Sequence, residues 1–407
     1  MLSAQSAEVI EATLPVVGGA IGAITPLFYD KLFAAHPELL RDQFNRGNQA
    51  NRSQQQALAG SIAAFASALI AHPDRRPDAM LARIAHKHVS VGISADQYPV
   101  VHEHLFAAIV EVLGEAVTPE VAAAWDEVYW LMANALIAVE DRLRTESAAA
   151  QGGDPAGLWR PYTVVARYQE TDDVTTYLVR PADGGPVPPS RPGQYVSVRA
   201  TMADGARQIR QYSLSGNPDG ALQFTVKRAA APAAGGPVGE VSNHLHDHVH
   251  AGDVLDLAPP LGDLTLADGA GADGPVLLAS AGIGNTPMTA MLAHFAATGS
   301  TRTVISVHGD RDQLSHAFRA DLDRLTAKLP GAAAHVFYEQ PLGDWPRERT
   351  GLVDLSTVAV PAGTTAYLCG PLPFLRSVRT QLLAAGVPAA AIHYEVFGPD
   401  LWLGRDA

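Results

Sequence analysis

Cysteine is almost absent from this chain: Cys369 is the only one in 407 residues. A lone cysteine excludes an internal disulfide and any Cys-x-x-Cys site for zinc, iron–sulfur or dithiol chemistry. Any metal must be held by histidine or carboxylate, or arrive inside an organic cofactor. Positive charge is also scarce. The 29 lysines and arginines face 42 acidic residues, giving a formal net charge of −13 and no basic stripe, so nucleic acid is a poor partner. Long hydrophobic runs are the third apparent lack. No stretch reads as both apolar and uncharged over the roughly 20 residues a membrane span needs, and "MLSAQSAEVIEATLP" lacks the basic start of a secretory signal. A cytoplasmic, monomeric protein without a membrane span is expected.

A chain of this length makes two or three domains, and its texture changes twice. Residues 1–146 are alanine-rich with apolar residues at helical spacing, broken at "AAHPELL", "AHPDRRPD" and "GEAVTPE", which predicts an all-α domain. The small-residue run at 147–158 reads as a linker. Short β-type runs such as "YTVVARYQ", "QYVSVRA" and "LQFTVKRA" then fill 159–268, predicting an antiparallel barrel or sandwich. From Gly274 to the end, apolar strands alternate with helices, predicting an α/β domain with a parallel sheet.

Within that last domain "VLLASAGIGNTPM" (276–288) is a buried strand running through a glycine turn into a helix, a backbone arrangement suited to a pyrophosphate. By itself it is also an ordinary βα turn, and Pro287 stands where a dinucleotide fingerprint has its third glycine. Four further motifs accompany it: "RQYSLS" (210–215), "GEVSNHLH" (239–246), "CGP" (369–371) and "EVFGP" (395–399). In this order and spacing they resemble the ferredoxin–NADP reductase superfamily. That resemblance implies FAD and a nicotinamide cofactor. Arg210 would neutralise a flavin phosphate, Gln211 and Tyr212 would lie along the flavin, and Ser213 would reach its reactive nitrogen, with Tyr195 bordering the site. The amides of Val241, Ser242 and Asn243 would cradle the pyrophosphate. Gly282, Ile283, Gly284, Asn285, Thr286 and Pro287 would hold the nicotinamide nucleotide with Cys369, Gly370 and Pro371. Glu395, Val396, Phe397, Gly398 and Pro399 would close the nicotinamide side, Phe397 covering the ring. Cys369 otherwise reads as a small buried hydrophobe. Arg311 is either a contact for a 2′-phosphate or a solvated arginine, so NADH and NADPH both remain open.

Histidine is concentrated where cysteine is missing. "RIAHKHVSVGISADQYPVVHEHL" (83–105) holds four of the fifteen. Helical spacing sets His88 on the apolar side with Leu81, Ile84 and Ala85, whereas His86 and His104 fall on polar edges and His102 shares a face with Tyr98 and Leu105. Ser94 and Gln97, at capping-box spacing, start the second helix. Other apolar stripes carry the same anomaly: Gln54 leads Leu58, Ile62 and Phe65; Glu140 lies with Met132, Leu136 and Leu143; Tyr29 is one turn from Leu32 and Phe33. One such residue is a boundary position. Several on different helices suggest a polar-lined pocket within an apolar core, as a haem cavity requires.

With "LFYDKLF", "DQFNRGNQ", "SQQQAL", "IAHKHVS" and "QYPVVHEHL" preceding the reductase motifs, the whole chain resembles a flavohaemoglobin. This implies a globin domain, a β-barrel FAD domain and an α/β nicotinamide-binding domain, with haem b, FAD and NADH or NADPH as cofactors. It also implies a nitric oxide dioxygenase acting on dioxygen and nitric oxide. His88 would ligate iron; Tyr98 and Glu140 would form the relay behind it; Tyr29 and Gln54 would face the opposite side, Phe44 would wedge the haem and Lys87 would work with Glu395 in electron transfer. A haem-based gas sensor and a haem-free flavin reductase with a helical docking module are the alternatives. Two departures from the family stand out: the loop at 227–240 is long and rich in Ala and Pro, and Val396 and Asn285 replace an expected Cys and Gln.

Overall fold

The computed structural model describes residues 2–50, 53–150, 157–231, 238–267 and 273–398. Pro399 therefore lies outside the described residues. The chain forms two compact units, one containing residues up to Leu158 with Arg199–Arg210 and Gly398, the other Trp159–Val198 with Gln211–Phe397.

The first unit is helical: α1 (Ala4–Ala35), α2 (Pro37–Asp42), α3 (Arg46–Ala50), α4 (Ser53–Ala71), α5 (Asp78–Val91), α6 (Gln97–Leu113) and α7 (Pro119–Ala150). Ser3 starts α1 by accepting the Ser6 amide at 3.2 Å. Along α1, Ile10, Val17, Ile24, Phe28, Tyr29 and Leu32 are buried, a stripe at helical spacing that packs on α4, α6 and α7. Residues 12–29 carry no charged side chain, and an 18-residue window of α1 reaches a mean hydropathy of 1.5. This corrects the expectation that no stretch is long and apolar enough to span a membrane; 17% of that window is buried, on the stripe that packs on α4, α6 and α7. Helix α7 continues to Ala150, past the expected end at 146. Gly92, with φ +80°, ends α5 in the left-handed conformation that glycine takes at no steric cost.

The second unit holds most of a closed antiparallel barrel of order β1-β2-β5-β4-β3-β6, which decides between barrel and sandwich. Its strands are β1 (Arg160–Thr171), β2 (Val174–Pro181), β3 (Tyr195–Thr201), β4 (Arg207–Gly216), β5 (Leu222–Lys227) and β6 (Val254–Leu257), with α8 (Glu240–His248) between the last two. There follow β7 (Val276–Ala281), α9 (Asn285–Ala297), β8 (Val304–Asp310), α10 (Arg319–Thr326), β9 (Ala332–Tyr338), β10 (Thr365–Cys369), α11 (Leu372–Ala384) and β11 (Ile392–Glu395). These strands form a parallel sheet of order β11-β10-β7-β8-β9. The core strands β7 and β10 are almost wholly buried, which is why they read as unbroken apolar runs. Strand order reverses between β7 and β10, so the loops leaving them at Gly282 and Gly370 flank the crevice where such sheets bind ligands.

Candidate functional site

In the helical unit, α5, α6 and α7 bring His88, Tyr98 and Glu140 together. His88 Nδ1 lies 2.8 Å from Glu140 Oε1 and 3.0 Å from the Tyr98 hydroxyl, which itself donates to the same carboxylate oxygen at 2.6 Å. A carboxylate only accepts, so Nδ1 carries the imidazole proton and Nε2 keeps its lone pair. Burial, then the Glu140 charge, pushes the Tyr98 phenol far above its usual pKa, so it stays a donor. Glu140 is completely buried, while the His88 side chain is 32% exposed, more open than its apolar face suggests. That exposure is a correction to the reading of His88 as buried.

Two partners of this network were not foreseen. Arg144 sits one turn along α7 with Nη2 3.6 Å from Glu140 Oε2, and its guanidinium also bonds the Ile93 carbonyl. Tyr129 donates to the Tyr98 carbonyl at 2.7 Å. The i,i+4 spacing of Glu140 and Arg144 was a signal for the first; nothing local pointed to the second.

In the same unit, Tyr29 is buried and hydrogen-bonded to Gln54; burial raises its pKa strongly and the amide opposes that rise. The Gln49 amide lies close enough to influence the phenol, but neither of its polar atoms completes a hydrogen bond, and Gln55 Oε1 is likewise buried without a partner. Phe44 packs edge-on to Tyr29 and Phe33, with ring centroids 5.9 and 5.3 Å apart. Its position is set by the preceding Gln43, whose amide donates to the Val91 carbonyl at 3.4 Å and accepts from Gln97 at 2.9 Å, tying Phe44 to the end of the His88 helix and the start of α6. Gln97 Oε1 also accepts the Ser94 amide at 3.1 Å, the reach-back half of the expected capping box.

The remaining histidines separate cleanly. His102 pairs with Asp126 at 2.7 Å, is sandwiched by Phe106 and Trp130, and meets the Tyr129 ring edge-on at 4.9 Å. His104 meets His36 edge-on at 5.6 Å. Lys87 donates to the Gly398 carbonyl at 2.9 Å.

Among the described residues no group of three or more His, Cys, Asp or Glu could hold a bare metal ion. The donor set instead fits haem: one imidazole nitrogen left open, the Phe44 ring edge-on to Tyr29, and the buried Gln49 amide near Tyr29, neither of whose polar atoms has a partner. Polar atoms without partners are rare in a folded core, and a ligand is one of the reasons for them.

Along β4, Arg210 is held by the Ile209 carbonyl at 2.7 Å, Gln211 and Tyr212 are half-buried and Ser213 is buried; the Tyr212 ring stacks on Phe224 at 5.7 Å. Tyr195, at the head of β3, is buried, and Gly262 lies so close that a Cβ there would stand 3.0 Å from its ring. In α8 the Asn243 amide already bonds the Gly239 carbonyl, so only Val241 and Ser242 of the three expected amides remain for a pyrophosphate. The Ser242 and Asn243 side chains brace Ala229 and Gly239 instead, closing the described ends of the long loop.

The β7 turn explains its two glycines. Gly282 has φ +52°, and a Cβ on Gly284 would stand 2.3 Å from the Cys369 carbonyl oxygen. Close approach is thus served by Gly284, and Pro287 is tolerated because it falls in the first turn of α9. Asn285 donates to the Ala317 carbonyl at 2.6 Å, leaving its buried Oδ1 without a partner, while Thr286 bonds the Ile283 carbonyl. Cys369 is fully buried, as a small hydrophobe would be, and pairs in register with Ser280 and Glu395. Pro371 leads into α11, Gly370 is pressed between Phe374 and Ala281, and Phe397 is exposed after Glu395 and Val396. Arg311 is tied to Asp312 at 3.0 Å and to Ser315 at 2.6 Å. A neighbouring cluster not foreseen from the sequence has His308 bonded to Ser280 at 2.9 Å and stacked on His316, itself bonded to the Tyr338 hydroxyl.

Residues 27–136 match the Globin family and residues 278–380 the Oxidoreductase NAD-binding domain family. A curated "Flavohemoprotein" of Chromobacterium violaceum is 42% identical, covering 98% of each chain. The chain belongs to the flavohemoprotein family. The flavohemoprotein of Rhizobium meliloti is 41% identical over 99% of this chain and 100% of its own. A crystal structure of flavohemoglobin from Malassezia yamatoensis, with bound FAD and heme, superposes with a TM-score of 0.88 at 36% identity, covering 98% of this chain and 100% of that one. The FAD/NAD-binding domain of a nitric oxide dioxygenase from Vibrio cholerae covers 59% of this chain and 99% of its own, with a TM-score of 0.53 and 36% identity. This flavohemoprotein thus has the helical globin, antiparallel barrel and parallel-sheet domains expected from its sequence.

Proposed function

We propose that this flavohemoprotein is a nitric oxide dioxygenase that uses NADH or NADPH, dioxygen and nitric oxide to make nitrate. The observation that carries the reading is the His88 imidazole, whose Nδ1 is committed to Glu140 and Tyr98 while Nε2 stays available to iron. When bound, haem supplies the iron that activates dioxygen, FAD the conversion of a hydride into single electrons, and the nicotinamide the hydride.

The chain's own residues position and polarise. Glu140, accepting from Nδ1, makes His88 a stronger electron donor and fixes its ring plane. Tyr98 holds that carboxylate in place. On the facing side Tyr29 remains protonated and can donate to oxygen where negative charge develops, with Gln54 orienting the hydroxyl. In the reductase part, Arg210 and the first-turn amides of α8 would hold the flavin's phosphates and Ser213 its ring edge, while Gly284 lets the helix α9 backbone come close enough for a nucleotide.

Two nitric oxide and two dioxygen molecules should be consumed per nicotinamide, with both oxygen atoms of dioxygen recovered in nitrate. Purified protein supplied with NADH, labelled dioxygen and nitric oxide tests this by mass spectrometry of the product. Nitrite or unlabelled nitrate as the main product would overturn it. A haem-free reductase is ruled out by a Soret band that shifts with carbon monoxide, and a gas sensor by catalytic turnover.

A further inference from the structure

Residues Arg199–Arg210 belong to the helical unit. Within that segment Gln208 is fully buried, and its amide is bonded at both ends. Nε2 donates to the Arg41 carbonyl at 3.1 Å and to the Phe44 carbonyl at 3.3 Å. Oε1 accepts the Arg46 amide at 3.3 Å and Nη1 of Arg210 at 3.4 Å. A primary amide has two N–H donors and a carbonyl with two lone pairs, so its capacity is filled. Its orientation is fixed as well, because the nitrogen faces carbonyls and the oxygen faces N–H groups.

These partners serve different ends. Arg46 opens α3, whose first amides have no acceptor within the helix, and Gln208 supplies one from 162 positions away. Phe44 is held from two directions: Gln43 ties its neighbourhood to Val91 and Gln97, and Gln208 takes its carbonyl. Its ring packs edge-on to Tyr29 at 5.9 Å, so a displaced Phe44 backbone disturbs the surroundings of the Tyr29 hydroxyl. Around the amide, Arg207 pairs with Asp42 at 3.1 Å and Arg46 with Asp204 at 2.6 Å. Such partly exposed ion pairs contribute little each, whereas a buried and satisfied amide specifies one geometry.

We propose that Gln208 is a positioning residue common to the two cofactor sites: one amide fixes both the Phe44 backbone and the Arg210 guanidinium. The proposal rests on the roles given above to Phe44 beside haem and to Arg210 at a flavin phosphate.

Two substitutions separate the halves of this claim. Gln208→Met keeps the volume and removes all four bonds. Gln208→Glu keeps an acceptor for Arg46 and Arg210 but offers no N–H to the Arg41 and Phe44 carbonyls. The first readout is the C–O stretching band of the carbon monoxide adduct of the ferrous holoprotein, which senses donors beside the bound gas. The second is the FAD dissociation constant, from the fluorescence of flavin released on dilution. In Gln208→Met the band should shift or split and the FAD dissociation constant rise about 3–10-fold, the usual weight of one hydrogen bond. In Gln208→Glu the band should shift while FAD binds as in the unsubstituted protein. Should Gln208→Met fail to fold, Gln208→Asn, whose amide is one methylene too short to span the same partners, carries the same two expectations. An unmoved band in both variants, an FAD constant unchanged in Gln208→Met, or equal changes of both readouts in Met and Glu variants would overturn the proposal. Neither readout involves nitric oxide, so a failed nitrate assay leaves this proposal standing and its own failure leaves the dioxygenase reading intact.

Discussion

Tyr98 and Glu140 meet at 2.6 Å, with the phenol donating to the oxygen that also receives the His88 Nδ1 proton. One carboxylate oxygen thereby fixes two side chains from two other helices. Glu140→Gln replaces that acceptor with an amide that can present N–H instead. Haem should still bind through His88 Nε2, but the iron–histidine stretching band should move to lower frequency and turnover should fall roughly 10–100-fold, the usual cost of losing a partner behind a metal ligand. Resonance Raman of the ferrous protein and nitrate assays check both; an unshifted band with unchanged turnover would remove the relay.

Tyr29→Phe keeps the ring against Phe33 and Phe44 and removes only the hydroxyl. If that hydroxyl stabilises developing charge, turnover should drop about 10–100-fold, equivalent to the roughly 1.5–3 kcal/mol of a hydrogen bond to a charged group. Dioxygen dissociation should accelerate in parallel. The measurement is stopped-flow release of dioxygen, and an unaltered rate would place the hydroxyl outside the reaction.

Gly284→Ala inserts a methyl group that would lie 2.3 Å from the Cys369 carbonyl oxygen and 2.8 Å from the Gly370 nitrogen, both backbone atoms. Neither can rotate away. The loops flanking the crevice must separate, costing about 1–3 kcal/mol and weakening nicotinamide binding. A higher KM for NADH with the haem spectrum unchanged is expected, along with a lower Tm.

His316 is stacked on His308, bonded to Tyr338 and buried, and burial reinforced by the His308 and Arg319 charges lowers its pKa from 6.5 to about 2. The folded protein therefore keeps this imidazole neutral while the unfolded chain protonates it below about pH 6.5. The unfolded state then binds more protons, so stability falls as pH drops through that window and levels off near pH 2. In His316→Phe the ring stack remains and the acid dependence should flatten by about one proton, read from urea midpoints against pH. An equal slope in both proteins would show that His316 is solvated.

The sequence revealed faces better than partners. A 3.6-residue period placed His88, Glu140, Tyr29 and Gln54 on apolar stripes, and the structure joins His88 to Glu140 and Tyr29 to Gln54. It could not show that Gln43 links Phe44 to Val91 and Gln97, because those contacts cross 48 and 54 positions and leave no local pattern. His102 illustrates the same limit: its shared face with Tyr98 was readable, whereas Asp126 and Trp130, which hold it, lie on another helix. The helical period also hid how open His88 is, since a face shared with Leu81 and Ala85 predicts burial and gives no measure of space left for a cofactor. At the glycine turn, the fingerprint's spacing pointed to a fault at Pro287; the close approach it demands occurs at Gly284.

The central claim is that His88 carries the iron on which nitric oxide is consumed. Nitric oxide consumption by the haem-replete protein should be compared with that of His88→Ala under NADH and dioxygen, with NADH-dependent reduction of an artificial flavin electron acceptor as control. The expected result is loss of nitric oxide consumption in the variant with flavin reductase activity retained. Equal nitric oxide consumption by the two proteins would contradict the account.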